Sequence, residues 1–314
     1  ARERGSRLWL LMGALRALGI SNHLCLVRGD SADPSLFRFP TTELYTYPVL
    51  RVEGLQGGPV WLDPSLRYGP FGELPEGVAG HETLVLPRPG EQVEVVKAPA
   101  WVPRPGRDVK LELTLDDKGA VVAVGEETYN GFEAAGLRAA LDRMDVAQRK
   151  QAVEVSLARS FKSAALDSLE AVGETAVGAP MTLKYRFHAQ RFARPTPDGL
   201  MTSPIFPASW GPRFVTQSSR KLPLYLGRSE RSHAVTRMVL PAGFHLKEAV
   251  APVKLQSAFG QFERLVKVEQ GGAVVLEESV ELRQGRVPAS AYGDFVRFAA
   301  QVDATQQLPL AFTR

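Results

Sequence analysis

The sequence predicts an α+β protein in which a helix and a few strands precede a long, strand-rich half. Three observations support this class. Apolar residues recur at helical spacing between Leu8 and Leu18. Alternating apolar and polar residues dominate from Met181 to Leu282. The 314 residues, 44% hydrophobic and 23% charged, have the composition of a packed globular protein and enough length for two domains.

The first hundred residues predict one helix followed by short strands. Leu8, Leu11, Met12, Leu15 and Leu18 form an apolar stripe, and Gly19 follows where a helix commonly ends. Runs rich in β-branched and aromatic residues then predict strands, the third of which stops at the Asp63-Pro64 pair because proline cannot continue a ladder. These strands are Ile20–Val27, Tyr45–Val52 and Pro59–Leu62.

The prolines between Pro87 and Pro105 predict a domain boundary, which divides the chain into residues 1–99 and 100–314. The second domain starts with a predicted hairpin over Val109–Val124. Helical spacing follows near residues 131–161, with a break near Asp145, and returns near residues 289–305. We therefore expect an antiparallel β-sandwich-type domain with inserted helices.

Composition argues against several kinds of partner and site. The net charge is +4, but the 38 basic and 34 acidic residues are interspersed, so we expect no nucleic-acid partner. Cys25 is the single cysteine, which excludes an internal disulfide. The five histidines lack metal-ligand spacing, and no run approaches the ~20 apolar residues of a membrane helix. We expect no cofactor, no metal and no membrane span.

Two passages together resemble bacterial transglutaminase-like proteins of the papain fold. The first is Gly5-Ser6-Arg7 opening an apolar helix, and the second is Tyr45–Val52 followed by Val60-Trp61-Leu62-Asp63-Pro64-Ser65. The later Phe259-Gly260-Gln261-Phe262 passage resembles members with flanking β-rich domains. The resemblance implies that residues 1–99 are the C-terminal part of a transglutaminase-like core. It also implies a periplasmic or cell-envelope location.

The catalytic positions implied by this resemblance are degenerate. The family uses a cysteine at a helix start, a histidine on the second strand and an acid, where this chain has Ser6, Tyr47 and Asp63. Ser6 has no evident base, so we expect it to cap the helix. Asp63 is then either a remaining acid or an acceptor for backbone N–H groups in the Asp-Pro turn. Cys25, between two leucines, is expected to be buried and inert.

Aromatic residues concentrate where the family's cleft would open, and Tyr45, Tyr47, Trp61 and Tyr68 are the ligand-binding candidates. Core packing explains such residues equally well, yet a cleft without a nucleophile could still hold an extended peptide or a glycan.

Three functions remain open. The first is a non-catalytic transglutaminase-like module for binding or assembly in a larger bacterial protein. The second is a hydrolase or acyl transferase that uses Ser6 with a histidine from elsewhere, such as His23. The third is a purely structural protein. The start at Ala1, without an initiator Met, predicts a piece of a longer polypeptide. If Trp9 and the apolar stripe lack a cover, we expect a protein partner or the missing N-terminal part to supply it.

Overall fold

The computed structural model describes residues 2–34, 37–39, 41–54 and 56–314, with side chains from Arg7 onward. The chain forms two compact units, each built from three segments. Unit 1 comprises Ala1–Arg104, Gly131–Ala139 and Thr175–Ala179. Unit 2 comprises Pro105–Asn130, Ala140–Glu174 and Pro180–Arg314.

Helices are few and strands are many, so the α+β class is confirmed. The helices are α1 (Arg2–Ala17), α2 (Gly131–Leu141), α3 (Val146–Leu157), α4 (Trp210–Phe214) and α5 (Tyr292–Gln307). The strands are β1 (Asn22–Arg28), β2 (Tyr45–Val52), β3 (Val60–Leu62), β4 (Glu82–Val85), β5 (Glu94–Lys97), β6 (Arg107–Leu115), β7 (Val121–Tyr129), β8 (Ala165–Val172), β9 (Met181–Ala189), β10 (Ala193–Thr196), β11 (Gly199–Thr202), β12 (Leu224–Gly227), β13 (Glu230–Val239), β14 (His245–Leu246), β15 (Val253–Ser257), β16 (Gly260–Val268), β17 (Val274–Leu282), β18 (Gly285–Val287) and β19 (Ala311–Thr313). Within the described residues, no helix is both long and apolar enough to cross a bilayer.

Unit 1 is built on an antiparallel sheet of strand order β3-β2-β1-β4-β5. Because successive side chains alternate between the two faces, β1, β2 and β3 each contribute to two cores. On one face Leu8 and Met12 of α1 pack against Leu50. On the opposite face Cys25 and Trp61 belong to a second buried cluster. Leu8, Leu11, Met12 and Leu15 of the predicted stripe therefore hold α1 on the unit 1 sheet. Leu18 follows the end of the helix and is 76% exposed, so its place in the stripe is wrong.

A bulge at the start of β2 changes which face its side chains reach. Val27 pairs with Tyr47, but the next residue, Arg28, pairs with Tyr45, so Thr46 is an extra residue on β2. Tyr47 packs on the Cys25 side of the sheet. Tyr45 therefore lies on the α1 side, with Arg28.

Unit 2 contains an eight-stranded sheet of order β15-β16-β17-β13-β6-β7-β9-β8. Its β13 and β6 are parallel, whereas the neighbouring pairs are antiparallel, so the sheet is mixed and the expected purely antiparallel arrangement is wrong. Parallel pairing is accessible here because the chain between β6 and β13 is long enough to return in the same direction. Trp210 of α4, Phe262 of β16 and Phe295 of α5 share one buried core.

Local signals set the helix boundaries. Asp145 accepts a hydrogen bond from the Gln148 backbone N–H, and the Gln148 side chain accepts one from the Asp145 N–H. This capping box separates α2 from α3 where a break was predicted. In contrast, β5 lies in the stretch between Pro87 and Pro105, whose prolines predict irregular structure. Its short Glu94-Val95-Val96-Lys97 run carries the only local signal for a strand there.

Candidate functional site

Tyr47 and Asp63, two of the candidate residues named from the sequence, form a hydrogen-bonded pair. The Tyr47 hydroxyl donates to Asp63 Oδ2 over 2.5 Å. The other carboxylate oxygen, Oδ1, accepts the Ser65 backbone N–H at 2.9 Å. Both Asp63 oxygens therefore have partners, and the bond to Ser65 is the turn contact expected after an aspartate.

Ser6 lies within a helix and does not precede one. Because α1 begins at Arg2, the expectation that Ser6 is the N-cap is wrong. The arginines and the glutamate before Ser6 favour helix and extend it backwards. The Ser6 side chain lies outside the described residues. Tyr47 lies on the face of the unit 1 sheet opposite to α1.

His23 does not join the Tyr47–Asp63 pair. Its Nε2 atom lies 3.0 Å from Glu91 Oε2, and its Nδ1 atom lies 3.8 Å from Glu53 Oε1. Along β1, His23 is four residues from Val27, the partner of Tyr47. At a rise of about 3.3 Å per residue this separation is roughly 13 Å. The imidazole is thus held by surface carboxylates at the other end of the strand.

Cys25 is fully buried in the core on the Tyr47 side of the sheet. Burial raises the pKa of its thiol to about 12, because the desolvation of a thiolate outweighs the opposing effect of the Arg51 charge. The side chain is therefore a neutral thiol at physiological pH. This agrees with the expectation of a small apolar core residue and removes the chain's only cysteine from any nucleophilic role.

Tyr45 belongs to a separate polar cluster on the α1 side. Its hydroxyl donates to Glu82 Oε1, and Arg28 Nη1 lies 3.7 Å from the same oxygen. The hydrogen bond to Glu82 raises the pKa of Tyr45, so the phenol stays protonated. These three side chains line a cavity of about 560 Å³.

Aromatic and basic side chains complete this cavity, which we call the Tyr45 cavity. Phe37, Arg38 and Phe39 form one wall, and the Arg38 guanidinium lies 5.6 Å from the centre of the Phe39 ring. Phe39 is 72% exposed. Sequence reasoning missed this wall and the contribution of Glu82. The Phe37-Arg38-Phe39 run, an aromatic pair in a predicted loop, was the signal that could have indicated it.

The four aromatic binding candidates do not share one cleft. Trp61 is 4% exposed and packs in the core, so its interpretation as a cleft wall is wrong. Tyr68 lies elsewhere, with the Arg67 guanidinium 5.3 Å from its ring centre. Tyr47 and Tyr45 face opposite sides of the sheet. Of the four candidates, Tyr45 alone lines this cavity. The concentration of aromatic residues in this part of the sequence mostly reflects core packing.

Among the described residues, no three histidine, cysteine or acidic side chains gather as a ligand set. His188 pairs with Asp167, and His233 lies between Asp108 and Glu277. These histidines therefore face one or two carboxylates on strand surfaces.

Comparison with known proteins gives distant likenesses. Residues 200–312, within unit 2, match a family described as a domain of unknown function with a solved structure (DUF3858). Comparison with curated proteins finds no match. The crystal structure of "a putative protease" from Parabacteroides distasonis aligns with 98% of this chain and 43% of its own, at 12% identity and a TM-score of 0.48. The chain thus spans less than half of that protein.

Proposed function

We propose that this chain is a non-catalytic, transglutaminase-like binding module of a larger bacterial cell-envelope protein. The observation that carries the proposal is the hydrogen bond from Tyr47 to Asp63. A general base must have an atom free to accept a proton, and a phenol that donates its own proton to a carboxylate does not act as that base. The acid of the family's arrangement is therefore retained as a structural acceptor.

The Tyr45 cavity is the ligand site that we assign to this module. Its volume of about 560 Å³ falls in the range of ligand pockets. Arg28 and Arg38 outnumber Glu82 among its charged side chains, and the phenylalanines supply flat apolar surface. This combination favours an extended peptide with acidic and apolar side chains. A glycan that bound in place of the peptide would contradict this ligand class.

A first experiment tests whether the chain is an enzyme. We expect no ester hydrolysis and no incorporation of a fluorescent primary amine into casein above the level of the Ser6→Ala variant. The comparison with Ser6→Ala matters because a serine nucleophile would be the only source of a difference. Wild-type turnover that disappears in Ser6→Ala would overturn the non-catalytic assignment and establish the acyl-transfer alternative.

A second experiment tests the ligand site by fluorescence anisotropy, with labelled extended peptides of matched length and either acidic or basic polar residues. We expect the acidic peptide to bind more tightly, and Arg38→Ala to weaken it about tenfold through loss of a charge-assisted bond. Tyr47→Phe is the matched control because that side chain lies on the other face. Equal binding by wild type and Arg38→Ala would contradict the site.

A further inference from the structure

A second groove runs along α1, away from the Tyr45 cavity. It lies between α1 and the segment that follows β4, and it has a volume of about 600 Å³. Trp9, Met12 and Arg16 line it from the helix, and Leu86, Pro87 and Arg88 line it from the segment. All of these residues belong to unit 1. We call this feature the α1 groove.

The walls of the α1 groove are fixed by hydrogen bonds. The Leu86 backbone N–H donates to the Leu24 carbonyl at 2.9 Å. Arg88 Nη2 donates to Ser21 Oγ at 2.9 Å and to the Asn22 carbonyl at 2.6 Å. Pro87 further restricts the backbone of this wall. The groove therefore exists without a ligand, which reduces the entropy lost when a partner binds.

The helix side of the α1 groove offers an aromatic anchor. Residues at spacings of three and four share one side of a helix, so Trp9, Met12 and Arg16 face the groove together. Met12 is 8% exposed and forms the floor, whereas Trp9 is 55% exposed. A half-exposed tryptophan at the edge of a groove that an arginine also lines has the composition of interface anchors.

The charge at the rim indicates what the α1 groove accepts. Arg16 and Arg88 stand on opposite walls. Among the described side chains, neither guanidinium lies within salt-bridge distance of a carboxylate. The groove thus presents apolar surface between Arg16 and Arg88. The Glu91 carboxylate accepts the Arg88 backbone N–H at 2.9 Å and interacts with the Arg88 charge, so Arg16 is the less compensated of the two. An occupant with an apolar face and acidic flanks satisfies both features at once.

We infer that the α1 groove docks an amphipathic helix of a partner protein whose apolar face is flanked by aspartate or glutamate. A helix suits the groove because its apolar side chains repeat at three and four residues, as do the lining residues of α1. This inference is separate from the ligand site proposed for the Tyr45 cavity. Different residues carry the two surfaces.

The test uses the whole 314-residue chain and two designed peptides of about five helical turns with an identical leucine face, one flanked by glutamates and one by lysines. Binding is followed by anisotropy of the labelled peptide and by tryptophan emission, in which the part due to Trp9, one of four tryptophans, is identified by its loss in Trp9→Ala. We expect the glutamate peptide to bind at least about tenfold more tightly, with an affinity that falls as salt increases. Trp9→Ala should reduce binding by a similar factor. Arg16→Glu, which leaves Arg88 as the one arginine at the rim, should abolish most of the preference for the glutamate peptide.

Two controls separate this result from other effects. Leu222→Ala removes an exposed leucine of unit 2 and should leave binding unchanged. Arg38→Ala, which tests the Tyr45 cavity, should also have no effect, so the two proposals fail separately. Equal binding of both peptides, or full binding by Trp9→Ala, would overturn the inference. Self-association of the chain that Trp9→Ala abolishes would also overturn it, because a second copy would then be the occupant.

Discussion

A single extra residue in β2, Thr46, sends two tyrosines to opposite faces of the unit 1 sheet. Two residues apart on a regular strand, Tyr45 and Tyr47 would share a face. The bulge instead places Tyr45 beside Glu82 in a cavity and Tyr47 beside Asp63 against a core. The sequence singled out Tyr47 and Asp63 but did not predict the hydrogen bond between them. It also did not predict the separation of the two tyrosines, because a bulge depends on how β1 pairs with β2 and leaves no local pattern.

The Tyr47→Phe variant tests this hydrogen bond at the level of stability. We expect a loss of about 1–2 kcal/mol in the free energy of unfolding, because a partly buried bond to a carboxylate is removed and Asp63 keeps only the Ser65 contact. Urea denaturation measures the change. Tyr45→Phe is the matched comparison, and it should cost less because Glu82, with a side chain 40% exposed, can exchange the phenol for water. A smaller loss in Tyr47→Phe than in Tyr45→Phe would argue against this interpretation.

The sequence predicts well those elements that are determined by residues close together in the chain. The apolar stripe of α1, the capping box at Asp145 and the β6–β7 hairpin each depend on residues within one or two turns of chain. The parallel pairing of β6 with β13 does not, because the two strands are far apart in sequence. Such pairings are decided by tertiary packing, and no periodicity within either strand encodes them. The Tyr45 cavity was missed for the same reason.

A close contact between neighbouring strands yields a prediction at this scale. Gly125 of β7 faces Tyr185 of β9, and a Cβ atom at Gly125 would lie 2.2 Å from the Tyr185 ring. The ring cannot swing away freely because its hydroxyl donates to buried Glu127 at 2.6 Å. We expect Gly125→Ala to destabilise the protein by about 1–3 kcal/mol in urea or thermal unfolding.

Gly136 of α2 provides the matched glycine. A methyl group added at Gly136 would have no atom within 4 Å, so Gly136→Ala meets open space. Alanine is the better helix former by about 1 kcal/mol. We therefore expect Gly136→Ala to be neutral or stabilising in the same assay. Equal destabilisation by both substitutions would show that packing on Tyr185 is not the cause.

The stability of the whole molecule depends on pH through a buried ion pair in unit 2. Glu278 and Arg264 are 7% and 4% exposed, and Glu278 Oε1 lies 3.7 Å from Arg264 Nε. Burial raises the pKa of Glu278, while the charge of Arg264 and a hydrogen bond from Gln306 oppose that rise. Burial likewise lowers the pKa of Arg264. The long, weak contact does not fully offset the loss of solvent.

The sign of the pH effect follows from linkage. Between the ordinary Glu278 pKa of 4.5 and its raised value, the folded state binds more protons than the unfolded state. The contribution of Glu278 to the free energy of unfolding is therefore complete below its ordinary pKa. It is lost as the pH rises through its raised pKa. We expect the stability of wild type relative to Glu278→Gln to fall as pH increases across this window, measured by urea unfolding at several pH values. A difference that stays constant with pH would contradict the raised pKa.

The three-segment construction of unit 1 has a consequence for limited proteolysis. A protease that cuts within the proline-rich stretch before Arg104 produces two pieces, and the second piece still carries Gly131–Ala139 and Thr175–Ala179. Both pieces then contribute backbone to the same folded unit. The nicked chain should elute as one species in native chromatography and separate into two bands only under denaturing conditions, as in fragment complementation. The boundary between the two units is therefore not a position at which a single cut divides the chain into two independent parts.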